Sequence, residues 1–277
     1  MPTMNYELSP NPTVGLISLG CVRNLVDSEV ALGGLLKAGY QYEPDIKQAD
    51  IAVVNTCGFT EDAKKESIDT ILQLCGLKKA KQIKSIVIMG CLSQRYGNEL
   101  SKEIKEADVI VGTNNFGNLA QVLEPIKKQI GSKAVLVEPR PKYLLDHTAP
   151  KKSLTPDHYA YIKISEGCIN ACSYCAIPGM KGRHRSRSID DILKEALNLK
   201  ETRGIKELNL IGQDTAAFGY DTHQKFLLAE LLSKLAEQLP DVWLRPLYAH
   251  PAHITDELIE TYNRYPNICK YLDLPIE

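Results

Sequence analysis

The sequence predicts an α/β fold in two parts, an open parallel-sheet domain followed by part of a (βα) barrel. In both halves of the 277 residues, short apolar runs alternate with helical stretches, a pattern that builds parallel sheets with right-handed crossovers. One stretch with four prolines and mixed charges interrupts the alternation at 138–157, which is typical of an extended connector. We therefore predict a first domain at 1–137, a linker at 138–157 and a second domain at 158–277.

The first domain is predicted from four strand-like runs that are apolar almost throughout, as expected for a parallel sheet buried on both faces. The predicted strands are 14–20, 50–56, 85–89 and 109–112. The predicted helices are 24–38, 61–77, 98–104 and 119–128. Strands of this kind fit an open parallel sheet of the flavodoxin-like type.

The second domain repeats the same alternation. Its predicted strands are 161–166, 207–211, 242–248 and 271–274, and its predicted helices are 188–203, 225–238 and 254–265. Ser188 or Asp190 is the candidate N-cap for the first of these helices, and Gly204 is its stop. Since only the first strands of a barrel are present, we predict a partial (βα) barrel.

Composition restricts the classes of function. The net charge of −1 excludes a global basic field that would attract nucleic acid, although the basic run at 181–185 leaves a local contact open. No apolar run approaches the roughly 18 residues of a membrane helix, and the polar start is no signal peptide. We therefore expect a cytoplasmic protein with no membrane partner, in which eight cysteines indicate metal binding or catalysis before disulfides.

Three of these cysteines form a compact loop after the first strand of the second domain. Cys168, Cys172 and Cys175 have C-x3-C-x2-C spacing, and thiolates are the ligands of soft metals and iron–sulfur clusters. A structural zinc site would need a fourth ligand from a second cysteine or histidine pair, and none follows in that pattern. Three ligands on a four-iron cluster leave one iron open, which indicates chemistry more than scaffolding.

A second set of three is scattered along the first domain. Cys21, Cys57 and Cys91 each follow a predicted strand directly and each adjoin a glycine, which lets the backbone approach a bulky ligand. Open α/β sheets bind ligands at the carboxyl edge of their strands. We predict a second three-thiolate cluster site here, the alternative being three small buried hydrophobic side chains.

Further polar side chains lie at or near the carboxyl ends of barrel strands, where barrels place their chemistry. Gln213, Asp214 and Arg245 are therefore candidate cofactor-binding residues, with helix capping or core hydrogen bonding as the alternative. Cys75 belongs to an apolar helical stripe and Cys269 precedes a strand, so both are predicted core residues.

The cysteine loop resembles that of the radical S-adenosylmethionine enzymes. The resemblance implies that Cys168, Cys172 and Cys175 hold a [4Fe-4S] cluster whose open iron binds S-adenosylmethionine. It also implies that Tyr174 lies near the adenine of that cofactor. Gln213 and Asp214 then fall where the family meets its cofactor or substrate.

The first domain is similar to that of the methylthiotransferases within this superfamily, on the motifs at 18–21, 55–58 and 90–96. This resemblance implies a second [4Fe-4S] cluster on Cys21, Cys57 and Cys91 that carries the sulfur to be inserted. Two clusters and S-adenosylmethionine are then the cofactors, and no catalytic residue is predicted beyond the cluster ligands.

Two branches of that family are close. One modifies an adenosine of transfer RNA; the other, the RimO type, modifies an aspartate of small-subunit ribosomal protein S-twelve at its β-carbon. The motifs at 24–29, 55–59, 158–168 and 213–215 resemble the RimO type, while Lys181 and Ser188 depart from its common residues without touching a cluster ligand. The implied partners are the ribosomal protein, met on the ribosome, and a reductant of the flavodoxin or ferredoxin type.

Alternatives remain at this point. The transfer RNA branch is one, and a non-enzymatic iron–sulfur electron carrier or a zinc-structured module is another. Family members also continue past Glu277, complete the barrel and add a carboxyl-terminal β domain called TRAM. We therefore expect the last part of the barrel and the TRAM domain to be absent from this sequence.

Overall fold

The computed structural model describes residues 11–128 and 133–275. The chain divides into two compact units. The first unit comprises Met1–Tyr143 with Ala149–Lys152, and the second comprises Leu144–Thr148 with Ser153–Glu277. Residues of the predicted linker are thus divided between the two units.

The first unit is an open parallel sheet of six strands with helices between them, which confirms the predicted fold class. Its strands are β1 (Thr13–Ser18), β2 (Gln41–Tyr42), β3 (Ile51–Thr56), β4 (Ser85–Gly90), β5 (Val109–Val111) and β6 (Ala134–Leu136), in the sheet order β2-β1-β3-β4-β5-β6. Its helices are α1 (Val22–Lys37), α2 (Glu61–Lys79), α3 (Cys91–Glu103) and α4 (Leu119–Lys128). The first five strands follow the flavodoxin order.

The centre of this sheet is formed by β3 and β4, whose residues are all buried. Their apolar side chains point to both faces, so helices must cover both, as in other parallel sheets. Hydrogen-bonded pairing runs in register from Ile51 opposite Ser85 to Thr56 opposite Gly90. The two central strands therefore end side by side at the same edge.

Helix α3 differs from the prediction. A short helix was expected at 98–104 after a loop, but the helix begins at Cys91 and runs to Glu103, with a non-helical residue at Tyr96. The cause is Gly90, whose φ of +107° turns the chain from β4 into the helix without a loop. Such backbone angles are readily available only to glycine. Cys91 is consequently the first residue of a helix and not part of a loop.

The second unit contains a parallel three-stranded sheet and a small antiparallel pair. The strands are β7 (Tyr159–Lys163), β8 (Ser165–Glu166), β9 (Arg185–Ser186), β10 (Glu207–Ile211) and β11 (Trp243–Pro246). The parallel sheet has the order β11-β10-β7, and β8 pairs with β9. The helices are α5 (Ile177–Lys181), α6 (Ile189–Arg203), α7 (Tyr220–His223), α8 (Leu228–Gln238), the 3-10 turn Pro251–His253 and α9 (Asp256–Arg264).

One predicted strand of this unit is wrong. Residues 271–274 form no strand; instead Ile268 makes an isolated parallel bridge to Leu244. The reason lies in Asp273, whose carboxylate accepts a hydrogen bond of 3.0 Å from the Tyr248 N–H. An aspartate that bonds the backbone of a neighbouring loop offers the chain an alternative to a strand ladder.

The helices of the described residues 11–128 and 133–275 are each too short or too polar to cross a bilayer.

Candidate functional site

The scattered cysteines of the first unit lie past the carboxyl ends of three neighbouring strands, β1, β3 and β4. Thr56 and Gly90 are paired residues, so Cys57 and Cys91 follow directly opposed positions. On the other side of β3, the Leu19 N–H donates to the Asn55 carbonyl at 2.9 Å. The turn that carries Cys21 therefore ends beside the other two, and the structure brings the predicted trio to one edge.

Glycine makes this approach possible. Gly20 has a φ of +84°, and a Cβ placed on it would lie 2.7 Å from the Cys57 Cβ and 3.1 Å from its Sγ. A side chain at this position would push the turn of Cys21 away from Cys57. The glycine beside the cysteine is thus required by packing as well as by backbone conformation.

The thiols of this trio differ in their electrostatic surroundings. Burial raises the pKa of the Cys21 thiol, but the Arg23 guanidinium and the N–H groups at the start of α1 outweigh burial and lower it on balance. The Arg23 Nε donates to the Cys21 Sγ at 3.4 Å. Burial raises the pKa of the Cys57 thiol, and the Phe59 N–H offsets this only in part. Metal binding would remove the proton from either thiol.

Cys168, Cys172 and Cys175 of the second unit lie on the loop that follows β8. All three are partly buried. The Cys168 N–H donates to the Gly182 carbonyl at 3.3 Å, and the Cys175 N–H donates to the Cys172 carbonyl at 3.0 Å. The loop is therefore closed by its own backbone and fastened to the end of α5.

Asp214 fastens the same loop from the side of β10. This carboxylate is only 1% exposed. Its Oδ2 accepts from the Asn170 Nδ2 at 3.1 Å and contacts the His253 Nδ1 at 2.6 Å, and its Oδ1 accepts from the His250 N–H at 3.1 Å. Asn170 lies between two of the cysteines, so Asp214 positions the loop through hydrogen bonds that already engage both of its oxygens.

Gln213 is hydrogen-bonded through its amide nitrogen, and Tyr174 is exposed. The Gln213 Nε2 donates to the Glu166 Oε2 at 3.2 Å, whereas its Oε1 is buried and accepts no hydrogen bond from the described residues. A buried, unpartnered acyl oxygen is costly and fits a site that takes up a polar ligand. The Tyr174 side chain is 70% exposed.

The side chain of Arg245, on β11, contacts Glu207 and Tyr271. The Arg245 Nε pairs with the Glu207 Oε1 at 2.8 Å, and its guanidinium lies 5.7 Å from the centre of the Tyr271 ring. Glu207 is the first residue of β10, at the amino end of that strand. The role of Arg245 in cofactor binding stays a prediction.

Sequence reasoning missed a buried ionic group directly before Cys168. Glu166 contacts the Lys163 ammonium and lies 3.8 Å from the Lys181 ammonium, and all three residues are buried. Burial raises the pKa of Glu166, but the two ammonium groups more than reverse this and hold it well below its usual range. The spacing of Lys163 and Glu166 in an apolar strand was the available signal.

The basic run at 181–185 is largely internal. Lys181 pairs with Glu166, and the buried His184 contacts the Ser186 Oγ at 3.1 Å. Arg185 donates to the Lys181 carbonyl at 3.1 Å. Most of the run therefore supports the cysteine loop, and the local nucleic-acid contact left open by the sequence has no support from these side chains.

The donor atoms fit iron–sulfur chemistry. Both groups consist of three thiols, and thiolates are what hold such clusters. Among residues 11–128 and 133–275, no three His, Cys, Asp or Glu side chains converge as they would around a single ion. An iron–sulfur cluster is larger than a single ion because it contains its own sulfides, so the thiols that hold it need not converge as the ligands of one ion do.

Comparison with known proteins gives matches in both units. Residues 13–112 match the uncharacterized protein family UPF0004, and residues 162–277 match the radical SAM superfamily. The ribosomal protein uS12 methylthiotransferase RimO of Clostridioides difficile (strain 630) is 44% identical over 95% of this chain and 59% of its own length. That of Thermoanaerobacter sp. (strain X514) is 46% identical over the same shares of the two chains.

Solved structures support the fold. The radical S-adenosylmethionine methyltransferase TsrM from Kitasatospora setae, solved with cobalamin and a [4Fe-4S] cluster, has a TM-score of 0.66 at 13% identity. The match covers 96% of this chain and 61% of the TsrM chain. The cobalamin-dependent enzyme OxsB has a TM-score of 0.57 at 13% identity, over 92% of this chain and 42% of its own.

Fold, cysteine loop and superfamily match together define a radical S-adenosylmethionine protein with an additional amino-terminal domain. The chain belongs to the RimO-type methylthiotransferase family, since curated RimO proteins match it over 95% of its length. It spans about 59% of the length of those relatives.

Proposed function

We propose that this protein acts in radical S-adenosylmethionine methylthiotransfer to ribosomal protein uS12, at the β-carbon of an aspartate. Such a carbon has no readily lost proton and no leaving group, so acid–base catalysis alone hardly reaches it. A radical reaction does, and the cofactor supplies that chemistry while the protein supplies position and a dry site.

The observation that carries this proposal is the presence of two separate three-thiol groups, one at the carboxyl edge of each unit's parallel sheet. Cys168, Cys172 and Cys175 would hold one [4Fe-4S] cluster beside S-adenosylmethionine. Cys21, Cys57 and Cys91, just past the ends of β1, β3 and β4, would hold the second cluster. When bound, these groups supply the electron that cleaves S-adenosylmethionine and the sulfur for insertion.

The surrounding residues have positioning roles in this proposal. The buried Gln213 Oε1 would accept a hydrogen bond from the cofactor, and the exposed Tyr174 ring would contact its adenine. Asp214 would keep the cysteine loop in place, because both of its oxygens are engaged by that loop and the Pro251–His253 turn. Glu166 with its two lysines would give the loop a rigid, water-free base.

The proposed partners are ribosomal protein uS12, met on the ribosome, and a reductant of the flavodoxin or ferredoxin type. Two curated relatives are named for uS12, and this supports the protein substrate over the transfer RNA substrate of the neighbouring branch. The exposed Phe59 and Tyr174, 45% and 70% exposed, offer aromatic contact surface near each cysteine group.

Iron and sulfide analysis of anaerobically reconstituted protein tests the cofactor proposal. One variant carries alanine at the three cysteines of the loop, and a matched variant carries alanine at the three cysteines of the first unit. Each variant should keep about half of the iron, and the combined variant should keep none. Bound zinc with almost no iron in the parent protein would overturn the proposal.

Substrate choice is tested with reconstituted protein, S-adenosylmethionine and a chemical reductant. Ribosomal protein uS12 and transfer RNA are offered separately, and each product is analysed by mass spectrometry. We expect a methylthio group on the aspartate of the ribosomal protein. Modification of transfer RNA with none on uS12 would exclude the proposed substrate.

A further inference from the structure

Asn24 contacts the three segments of the first unit that carry Cys21, Cys57 and Cys91. Its Nδ2 donates to the Leu19 carbonyl at 3.1 Å and to the Thr56 carbonyl at 3.1 Å. Leu19 lies two residues before Cys21, and Thr56 directly precedes Cys57. The Asn24 Oδ1 accepts from the Cys91 Sγ at 3.6 Å. One side chain therefore connects three segments that are remote in sequence.

The orientation of this amide follows from its neighbours. Two carbonyl oxygens face the Nδ2 position, and carbonyls accept hydrogen bonds only, so the nitrogen must lie there. The oxygen is left facing Cys91. Asn24 is 1% exposed, hence water does not compete for these bonds. A primary amide is the group that combines two coplanar donors with an acceptor.

Asn24 is itself held by the sheet. Its backbone carbonyl accepts a hydrogen bond of 2.7 Å from the Asn55 Nδ2, and Asn55 belongs to β3. The Asn24 N–H, at the start of α1, also favours the thiolate form of Cys21. From the first turn of α1, Asn24 thus reaches the segment after β1, the end of β3 and the start of α3.

We propose that Asn24 is the positioning residue of the first unit's cysteine trio, and that it sets the spacing of the three thiols to accept an iron–sulfur cluster. This inference rests on the proposed function, since it presumes that the trio binds a cluster. Neighbours of metal ligands that orient them commonly change metal affinity about 10- to 100-fold when replaced. Asn24 orients three ligands, so we expect a change of at least that lower size.

The test uses the full chain with Cys168, Cys172 and Cys175 all replaced by alanine, so that bound iron reports the first unit alone. Asn24→Asp keeps the shape of the side chain and removes both donors; Asn24→Ser removes them without adding charge. Iron per chain, the rate of iron loss to a chelator and the electron paramagnetic resonance spectrum of the reduced cluster are measured. Circular dichroism of the iron-free protein checks folding.

Ser28→Ala is the matched control. Ser28 lies one turn further along α1, is fully buried, and bonds the Ser18 Oγ at 2.9 Å and the Asn55 Nδ2 at 3.0 Å. Ser28→Ala therefore loses one buried and one partly buried hydrogen bond of the same helix, and neither of them is to Leu19, Thr56 or Cys91. A loss of stability alone would appear in this variant too.

We expect both Asn24 variants to lose iron about 10-fold faster or more and to change the spectrum of whatever cluster remains, while Ser28→Ala matches the parent. Retention and spectrum equal to the parent in a folded Asn24 variant would overturn the inference but leave the proposed function intact. If the parent of this series, which keeps Asn24 but lacks the three loop cysteines, binds no iron at all, the proposed second cluster is wrong, and so is this inference.

Discussion

Gly167 offers the sharpest test of how the cysteine loop is built. It lies between β8 and Cys168 with a φ of +76°, and a Cβ on it would come within 2.2 Å of the Arg183 carbonyl oxygen and 2.5 Å of the Gly182 carbonyl oxygen. Both neighbours are backbone atoms that no side-chain rotation can move. Gly167→Ala must therefore displace either the start of the cysteine loop or the turn after α5.

The size of the effect can be separated into two parts with a matched variant. Gly204 ends α6 at a φ of +63°, and a Cβ on it would meet nothing within 4 Å. Gly204→Ala therefore shows the cost of a left-handed backbone alone, about 1 kcal/mol. Gly167→Ala adds an overpacking term of about 1–3 kcal/mol, so we expect roughly 3 kcal/mol in all.

Thermal unfolding of the iron-free protein measures both variants. For a unit of this size, 1 kcal/mol corresponds to a shift in melting temperature of about 2–4 °C, so Gly167→Ala should shift the transition about three times as far as Gly204→Ala. With the first unit's three cysteines replaced by alanine, Gly167→Ala should also lose bound iron and Gly204→Ala should keep it. Equal shifts and equal iron in the two variants would refute this reasoning.

Two further predictions concern charge in the second unit. Lys163→Met should cost about 3 kcal/mol or more in the free energy of unfolding, because it leaves the buried Glu166 short of one ammonium; a urea titration that matches the parent would contradict this. Burial raises the pKa of Asp191, but hydrogen bonds from His147 and the charge of Arg187 lower it on balance. Since the folded pKa lies below the unfolded value, its stabilisation is present above about pH 4 and is lost as the pH falls through the folded pKa. Asp191→Asn should therefore flatten the decline of melting temperature in acid, and an unchanged decline would count against the assignment.

The parts of the fold that the sequence predicted best are those determined by burial. The buried run of β3 ends where predicted, at Thr56, because a strand covered on both faces is apolar along most of its length. Strand β10 also matches its predicted bounds. The strands β2 and β6 were missed. They have two and three residues, which is too short for any periodicity to appear.

For the site, the sequence predicted the cysteines that could bind metal but not the residues that position those cysteines. Cysteines are recognisable by type and spacing, and strand ends predicted that the scattered trio would meet. Asn24 has no such signal, because its contacts join segments more than thirty residues apart. Glu166 was likewise hidden, since its second ammonium comes from a helix on the far side of the loop.

The two cysteine groups are positioned by different physical means, and this difference explains their different visibility in the sequence. The loop trio is shaped by its own backbone, so its information is local: a spacing, and a glycine whose φ of +76° starts the loop. The scattered trio is positioned by the register of three strands and by one buried amide between them. A substitution that harms the first group should therefore act through the backbone, as at Gly167, whereas the second group should be most sensitive to the side chain of Asn24.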